Sequence, residues 1–95
     1  MNRSLHTLNT PPSDSDTLSH CLMALSEGDE LLLIEDAVYF TLPAHRHKLP
    51  SGVPIHALAV DLQARGLTNA TDISIISDPE FVNLTLHCNR VVSWF

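Results

Sequence analysis

The sequence predicts an α/β layered fold with a mainly parallel sheet, and three observations predict it. Apolar stretches at "SLHTL", "ELLLIED", "IHALAV", "DISIIS" and "VVSWF" alternate with helix-like segments in the order β-α-β-α-β-α-β-α-β. Leu31 to Ile34 form an unbroken apolar run, the pattern of a strand buried on both faces of a parallel sheet. With 95 residues, 44% of them hydrophobic, the chain suits one compact domain spanning residues 1–95. Helices of so short a chain need not cover both faces of its sheet, and an uncovered face favours a partner subunit.

"SLHTL" (Ser4 to Leu8) alternates and stops at the loop-like "NTPPSDSD", so it reads as the first strand. Ser13, Asp14 or Ser15 can cap the helix that follows, which the pattern carries to about Glu27, with Leu18, Leu22 and Leu25 as its apolar stripe. Gly28 supplies the stop. "ELLLIED" is the second strand, and Asp36 is placed to cap a short helix through "AVYFTL", ended by the prolines and the basic loop "PAHRHKLPSGVP".

"IHALAV" is the third strand, and Asp61 opens a short helix, "LQARG", closed by Gly66. "DISIIS" reads as the fourth strand. In "SDPEF", Asp78 is expected as cap, Pro79 at the first helical position and Glu80 in the first turn. That helix carries Phe81, Val82, Leu84 and Cys88, and "VVSWF" closes the chain as a short strand.

Eleven acidic against five basic residues give a formal charge of −6, which repels a phosphate backbone and argues against direct nucleic-acid binding. No apolar stretch reaches the length of a signal peptide or a membrane span, so a cytoplasmic location is the expectation. Two cysteines outside any CxxC pair are expected as reduced thiols. The glycosylation-type triplets at Asn69 and Asn83 then read as chance.

Few residues suggest chemistry. With about 100° per residue, Leu22 and Leu25 fall within about 40° of Leu18, and Cys21 lies about 60° to one side. Cys21 is therefore a shoulder residue of the apolar stripe, mid-helix, and burial is its first reading. Cys88 belongs near a helix end whose carbonyl pole raises a thiol pKa. His45, Arg46, His47 and Lys48 make a basic loop, a poor cation site that reads instead as a solvated or partner-facing loop. Glu35 and Asp36 stand at the carboxyl end of a central strand, where open α/β sheets keep ligands, but adjacent side chains diverge and make a weak acid/base pair. No glycine-rich phosphate loop, GxSxG elbow or HExxH helix occurs. Neither a cofactor nor a metal is expected.

Taken in order, "LHTL" with a following proline, "LSEGDELLLIEDAVY", "HALAVDLQARGL", "FVNLT" and the final tryptophan resemble the TusB/DsrH family of sulfur-relay proteins over nearly the whole chain. The resemblance implies a small flavodoxin-like (DsrEFH-like) subunit of a TusBCD or DsrEFH-type complex, a cytoplasmic dimer of heterotrimers. Its partners would be TusC/TusD-like (DsrF/DsrE-like) paralogues, with a TusA-like donor and a TusE-like acceptor of persulfide sulfur. The implied outcome is thiolation of the tRNA wobble uridine in the Tus branch, or dissimilatory sulfur oxidation in the Dsr branch.

In the family the principal sulfur-accepting cysteine belongs to TusD or DsrE, near a loop matching Leu58 to Val60 here. This chain reads "HALAVDLQ" there and has no thiol, which implies an accessory, non-catalytic role within a sulfurtransferase complex. DsrH-like members carry a cysteine in the first helix, so the resemblance makes Cys21 the candidate sulfur-carrying thiol. "SEGDELLLIED" is closer to the TusB wording, and Ala37 departs from the glycine of the family's "DGV" turn.

Overall fold

A computed structural model, describing residues 3–67 and 72–95, has ten elements in chain order. They are β1 (Ser4–Leu8), α1 (Ser15–Ala24), β2 (Glu30–Leu33), a 3-10 helix (Glu35–Thr41), α2 (Pro43–Arg46), β3 (Ile55–Leu58), α3 (Ala59–Ala64), β4 (Ser74–Ile76), α4 (Asp78–Leu86) and β5 (Arg90–Trp94). The triplet at Asn69 lies outside the described residues.

The five strands form one sheet, ordered β4-β3-β2-β1-β5, and every neighbouring pair is parallel. β2 sits at its centre; Leu31, Leu32 and Leu33 are fully buried as the apolar run predicts, whereas Ile34 lies past the strand and is half-buried, and the buried strand begins instead at Glu30. Registers such as Leu8 with Leu33 and Leu33 with Ala57 align the apolar positions and divide the core in two. On one face Leu8, Leu31, Leu33, Ile55 and Ala57 meet Leu18 and Cys21 of α1, Ala37, Val38 and Phe40 of the 3-10 helix, and Leu62 of α3. On the other, Leu5, Leu32, Leu58 and Ile76 meet Phe81 and Leu84 of α4, together with Cys88.

The helix ends correct the sequence expectations in instructive ways. Asp14 caps α1, accepting from the Thr17 N–H, but the helix stops at Ala24 rather than near Glu27, and Gly28 turns at φ 90° only after the chain has left it. Asp36 caps nothing. The segment after β2 is a 3-10 helix capped at Ile34 with no side-chain hydrogen bond, and Asp36 pairs with Arg65 instead. Asp61 lies in the first turn of α3 rather than before it. In α4 the cap is Ser77, one residue earlier than expected, because Ser77 and Glu80 complete a reciprocal capping box. Part of the basic loop forms α2, a single turn started by Pro43.

Candidate functional site

The carboxyl edge of a parallel sheet is where ligand and catalytic groups gather, and in this sheet it is formed by the residues after β2 and β3. Just after β2, Glu35 opens the 3-10 helix in the left-handed region, φ 50°, a conformation that costs energy for any residue with a β-carbon. The turn is held by its own neighbours: the Glu35 N–H donates to Asp61 Oδ2 at 2.8 Å. Arg65 donates to Asp36 Oδ1 from Nε and Nη2 at 3.1 and 2.9 Å, and to the Asp61 carbonyl at 3.1 Å. Asp36 and Asp61 are thus spent on positioning. The edge reads Leu58, Ala59, Val60, Asp61, with no thiol among them.

Both thiols lie elsewhere, on opposite faces of the sheet. Cys21 is 0% exposed, sealed in the core between α1 and the sheet. Burial pushes its pKa up to about 11, so at pH 7 only about one molecule in ten thousand holds a thiolate there. Cys88 is half-buried just after α4. Burial raises its pKa, the nearby Glu30 and Asp29 carboxylates add to the rise, and Arg3 opposes it.

Two polar networks tie the strands together, the first buried and the second partly buried, and sequence reasoning missed both. In the first, His6 on β1 is 2% exposed and bonds Asp29 Oδ2 through Nε2 at 3.0 Å, while the Trp94 indole N–H donates to His6 Nδ1 at 3.0 Å. An indole nitrogen only donates, so Nδ1 must accept and Nε2 must carry the proton that goes to Asp29. The ring of Trp94 also stacks on His6 with planes 16° apart. Asp29 further accepts the N–H groups of Ser4 and Ser26, each at 3.0 Å. Burial by itself would raise the Asp29 pKa; these donors outweigh it and hold the carboxyl below its ordinary value.

In the second network, His56 Nε2 donates to Glu30 Oε1 at 2.8 Å, and Arg3 lies 3.5 Å from Glu30 Oε2. The available signal was burial: every position of β1 and β2 is buried, so His6 and Glu30 each require a polar partner.

In the basic loop, Lys48 Nζ donates to His45 Nδ1 at 3.2 Å, so the residues bond one another. Among the described residues no three His, Cys, Asp or Glu side chains come together as a cation site.

The family described as "DsrH like protein" matches residues 10–91. Protein TusB of Escherichia coli (strain K12) is 38% identical over 95 residues, covering 95% of this chain and 99% of that protein. Protein TusB of Pectobacterium carotovorum subsp. carotovorum (strain PC1) is 40% identical over 98 residues, with the same coverage. Among solved structures, the ychN protein from E. coli superposes with a TM-score of 0.77 over 98% of this chain and 99% of that one; at 22% identity it speaks for the fold alone.

Proposed function

The chain belongs to the TusB/DsrH family of sulfur-relay proteins, and from that premise we propose that it is an accessory subunit of a cytoplasmic sulfur-relay complex. Its task is to support persulfide transfer for thiolation of the tRNA wobble uridine. The observation that carries this reading is the absence of a thiol from Leu58 to Asp61, combined with two cysteines whose pKa values are raised. A relay step needs a thiolate to attack the outer sulfur of a donor persulfide, breaking its S–S bond and releasing the donor thiolate. With no such thiolate at the sheet edge, the acceptor belongs to a paralogous TusD-like or DsrE-like partner. The acidic chain fits a protein that serves tRNA modification without touching tRNA.

The test is reconstitution. This chain, co-expressed with its C and D paralogues, is expected to co-purify with them, and its removal should abolish sulfur transfer from a TusA-like donor to a TusE-like acceptor. Recovery of the monomer alone in mild salt would overturn the reading.

An alternative assigns the chain to the Dsr branch with Cys21 as a sulfur carrier, and what favours it is the DsrH-like wording "LSHCLMALSEGD". That chemistry requires α1 to lift from the sheet, because Cys21 is sealed beneath it. A mass gain of about 32 Da on wild type but not on Cys21→Ala, after incubation with a persulfidated donor, would support it.

A further inference from the structure

β5 is joined to the sheet on one side only, through β1, and its last residues are held by few bonds. The Trp94 carbonyl accepts the Asn9 N–H at 3.3 Å, longer than the usual N–H···O bond, and Phe95 beyond it is 85% exposed. The Trp94 side chain is the stronger tie: its ring packs against the core beneath α1, and its indole N–H ends on His6 Nδ1 at 3.0 Å. The seating of this strand end therefore runs through one nitrogen of a titratable ring.

That nitrogen can hold a proton or accept the indole N–H, not both. In the neutral ring, Nε2 carries the hydrogen donated to Asp29, and Nδ1 presents a lone pair to Trp94. A second proton makes both ring nitrogens donors, so the Trp94 N–H then faces another N–H. Burial opposes the charge of Asp29, but the N–H groups of Ser26 and Ser4 help to outweigh it and hold its carboxyl below the ordinary value, so an anion faces the ring throughout. The bond to Asp29 survives protonation and becomes charge-assisted. The loss falls on Trp94.

The other groups around the ring leave that pairing intact. β2 sets Leu31 opposite His6 and turns Glu30 to His56 and Arg3 on the other face of the sheet. α1 brings the Cys21 thiol, which burial keeps neutral with a pKa of about 11, while Asp16, His20 and Glu27 are exposed. At the start of β5, Arg90 donates to Ser4 Oγ at 2.8 Å, two residues before His6 on the same face of β1, and its charge opposes that of a protonated ring.

We propose that His6 is a proton-operated latch for the end of β5: the neutral ring holds Trp94 down, and protonation releases the indole and loosens the sheet edge that carries Val91 and Phe95. His6 is 2% exposed and its Nδ1 is covered by the indole, so the proton arrives only as Trp94 lifts. Protonation and release are one equilibrium.

Trp94 is the sole tryptophan, so its indole N–H gives one isolated NMR signal. The isotope-labelled full-length chain is titrated from about pH 8 to about pH 5, the range in which imidazoles titrate, with far-UV circular dichroism checking that it stays folded. The indole signal and the His6 ring signals are expected to move with one midpoint, and the exchange protection of the β5 amides to fall while that of β2 holds. Trp94→Phe keeps an aromatic ring but removes the donor that favours the neutral imidazole. By linkage it should raise the His6 midpoint by about half a pH unit to one unit, the worth of one hydrogen bond. His6→Gln should abolish the step in the indole signal.

A His6 ring that does not titrate in the folded chain overturns the proposal, as does an indole signal that stays still while the ring titrates. An unchanged midpoint in Trp94→Phe, or a step that persists in His6→Gln, overturns it as well. Should His6→Gln fail to fold, the wild-type midpoints and Trp94→Phe still decide.

Discussion

Asp29 accepts hydrogen bonds from two backbone N–H groups and from His6 while only 5% exposed, so its charge is held by fixed donors rather than by water. Asp29→Asn keeps the shape but replaces one acceptor oxygen by a donor aimed at donors. Urea denaturation should show a loss of about 1.5–3 kcal/mol. The sign of the pH dependence follows from the lowered pKa. The stabilisation is fully present above the ordinary Asp value of about 3.9 and is lost as pH falls through the lower folded value. The gap between wild type and Asp29→Asn should therefore be flat at neutral pH and close below about pH 4.

Cys21 makes the complementary case, a potential reagent silenced by its surroundings. Native protein should label with a thiol reagent at Cys88 first, and at Cys21 at least about a thousandfold more slowly than in urea, read by intact mass. Cys21→Ser buries a hydroxyl in an apolar core and should cost about 1–3 kcal/mol. Cys21→Ala is therefore the cleaner variant for any assay of sulfur transfer. Equal labelling of the two thiols in the native state would show that α1 opens readily.

At the scale of elements, the joint between β2 and the 3-10 helix concentrates strain and its compensation. Glu35 at φ 50° is tolerated because Asp61 receives its N–H and Arg65 locks Asp36. Glu35→Val puts a β-branched residue into a left-handed position and should cost about 1–2 kcal/mol, whereas Glu35→Asn should be close to neutral in the same melt. Ser77→Ala, which removes half of the α4 capping box, should cost about 1 kcal/mol.

The same elements show what the sequence made legible. Strand positions, their parallel order and the burial of β2 follow from apolar runs, because strand period and burial are local properties of a few consecutive residues. The role of Asp36 was not legible. Its preference for a helix start is local, but its partner Arg65 is 29 residues away, and a charged hydrogen bond outranks a weak cap. His6, Asp29 and Trp94 stayed hidden for the same reason, since β1 and β5 come from opposite ends of the chain. Two features of the candidate site could be read directly: the empty sheet edge, a matter of which residues are present, and the burial of Cys21, a matter of helical spacing.

The whole molecule leaves apolar surface that its own elements do not cover. Val82 and Leu86 stand one turn apart on α4 at 59% and 76% exposure, and Val91 and Phe95 of the last segment are exposed as well. β5 is an edge strand, so apolar side chains and unpaired backbone groups occur together there. A chain that folded to act alone would lose solubility by this arrangement; a subunit would bury it. The double substitution Val82→Glu with Leu86→Glu tests which holds. Neither side chain belongs to a core cluster, so the monomer should keep its fold and melt within about 0.5 kcal/mol of wild type. Two carboxylates placed in an apolar contact would be desolvated without partners, and co-purification with the paralogous subunits should fall at least tenfold, on the order of 1.4 kcal/mol or more. If the complex forms undiminished, the exposed face of α4 is not where the partners sit, and the edge at β5 becomes the surface to substitute next.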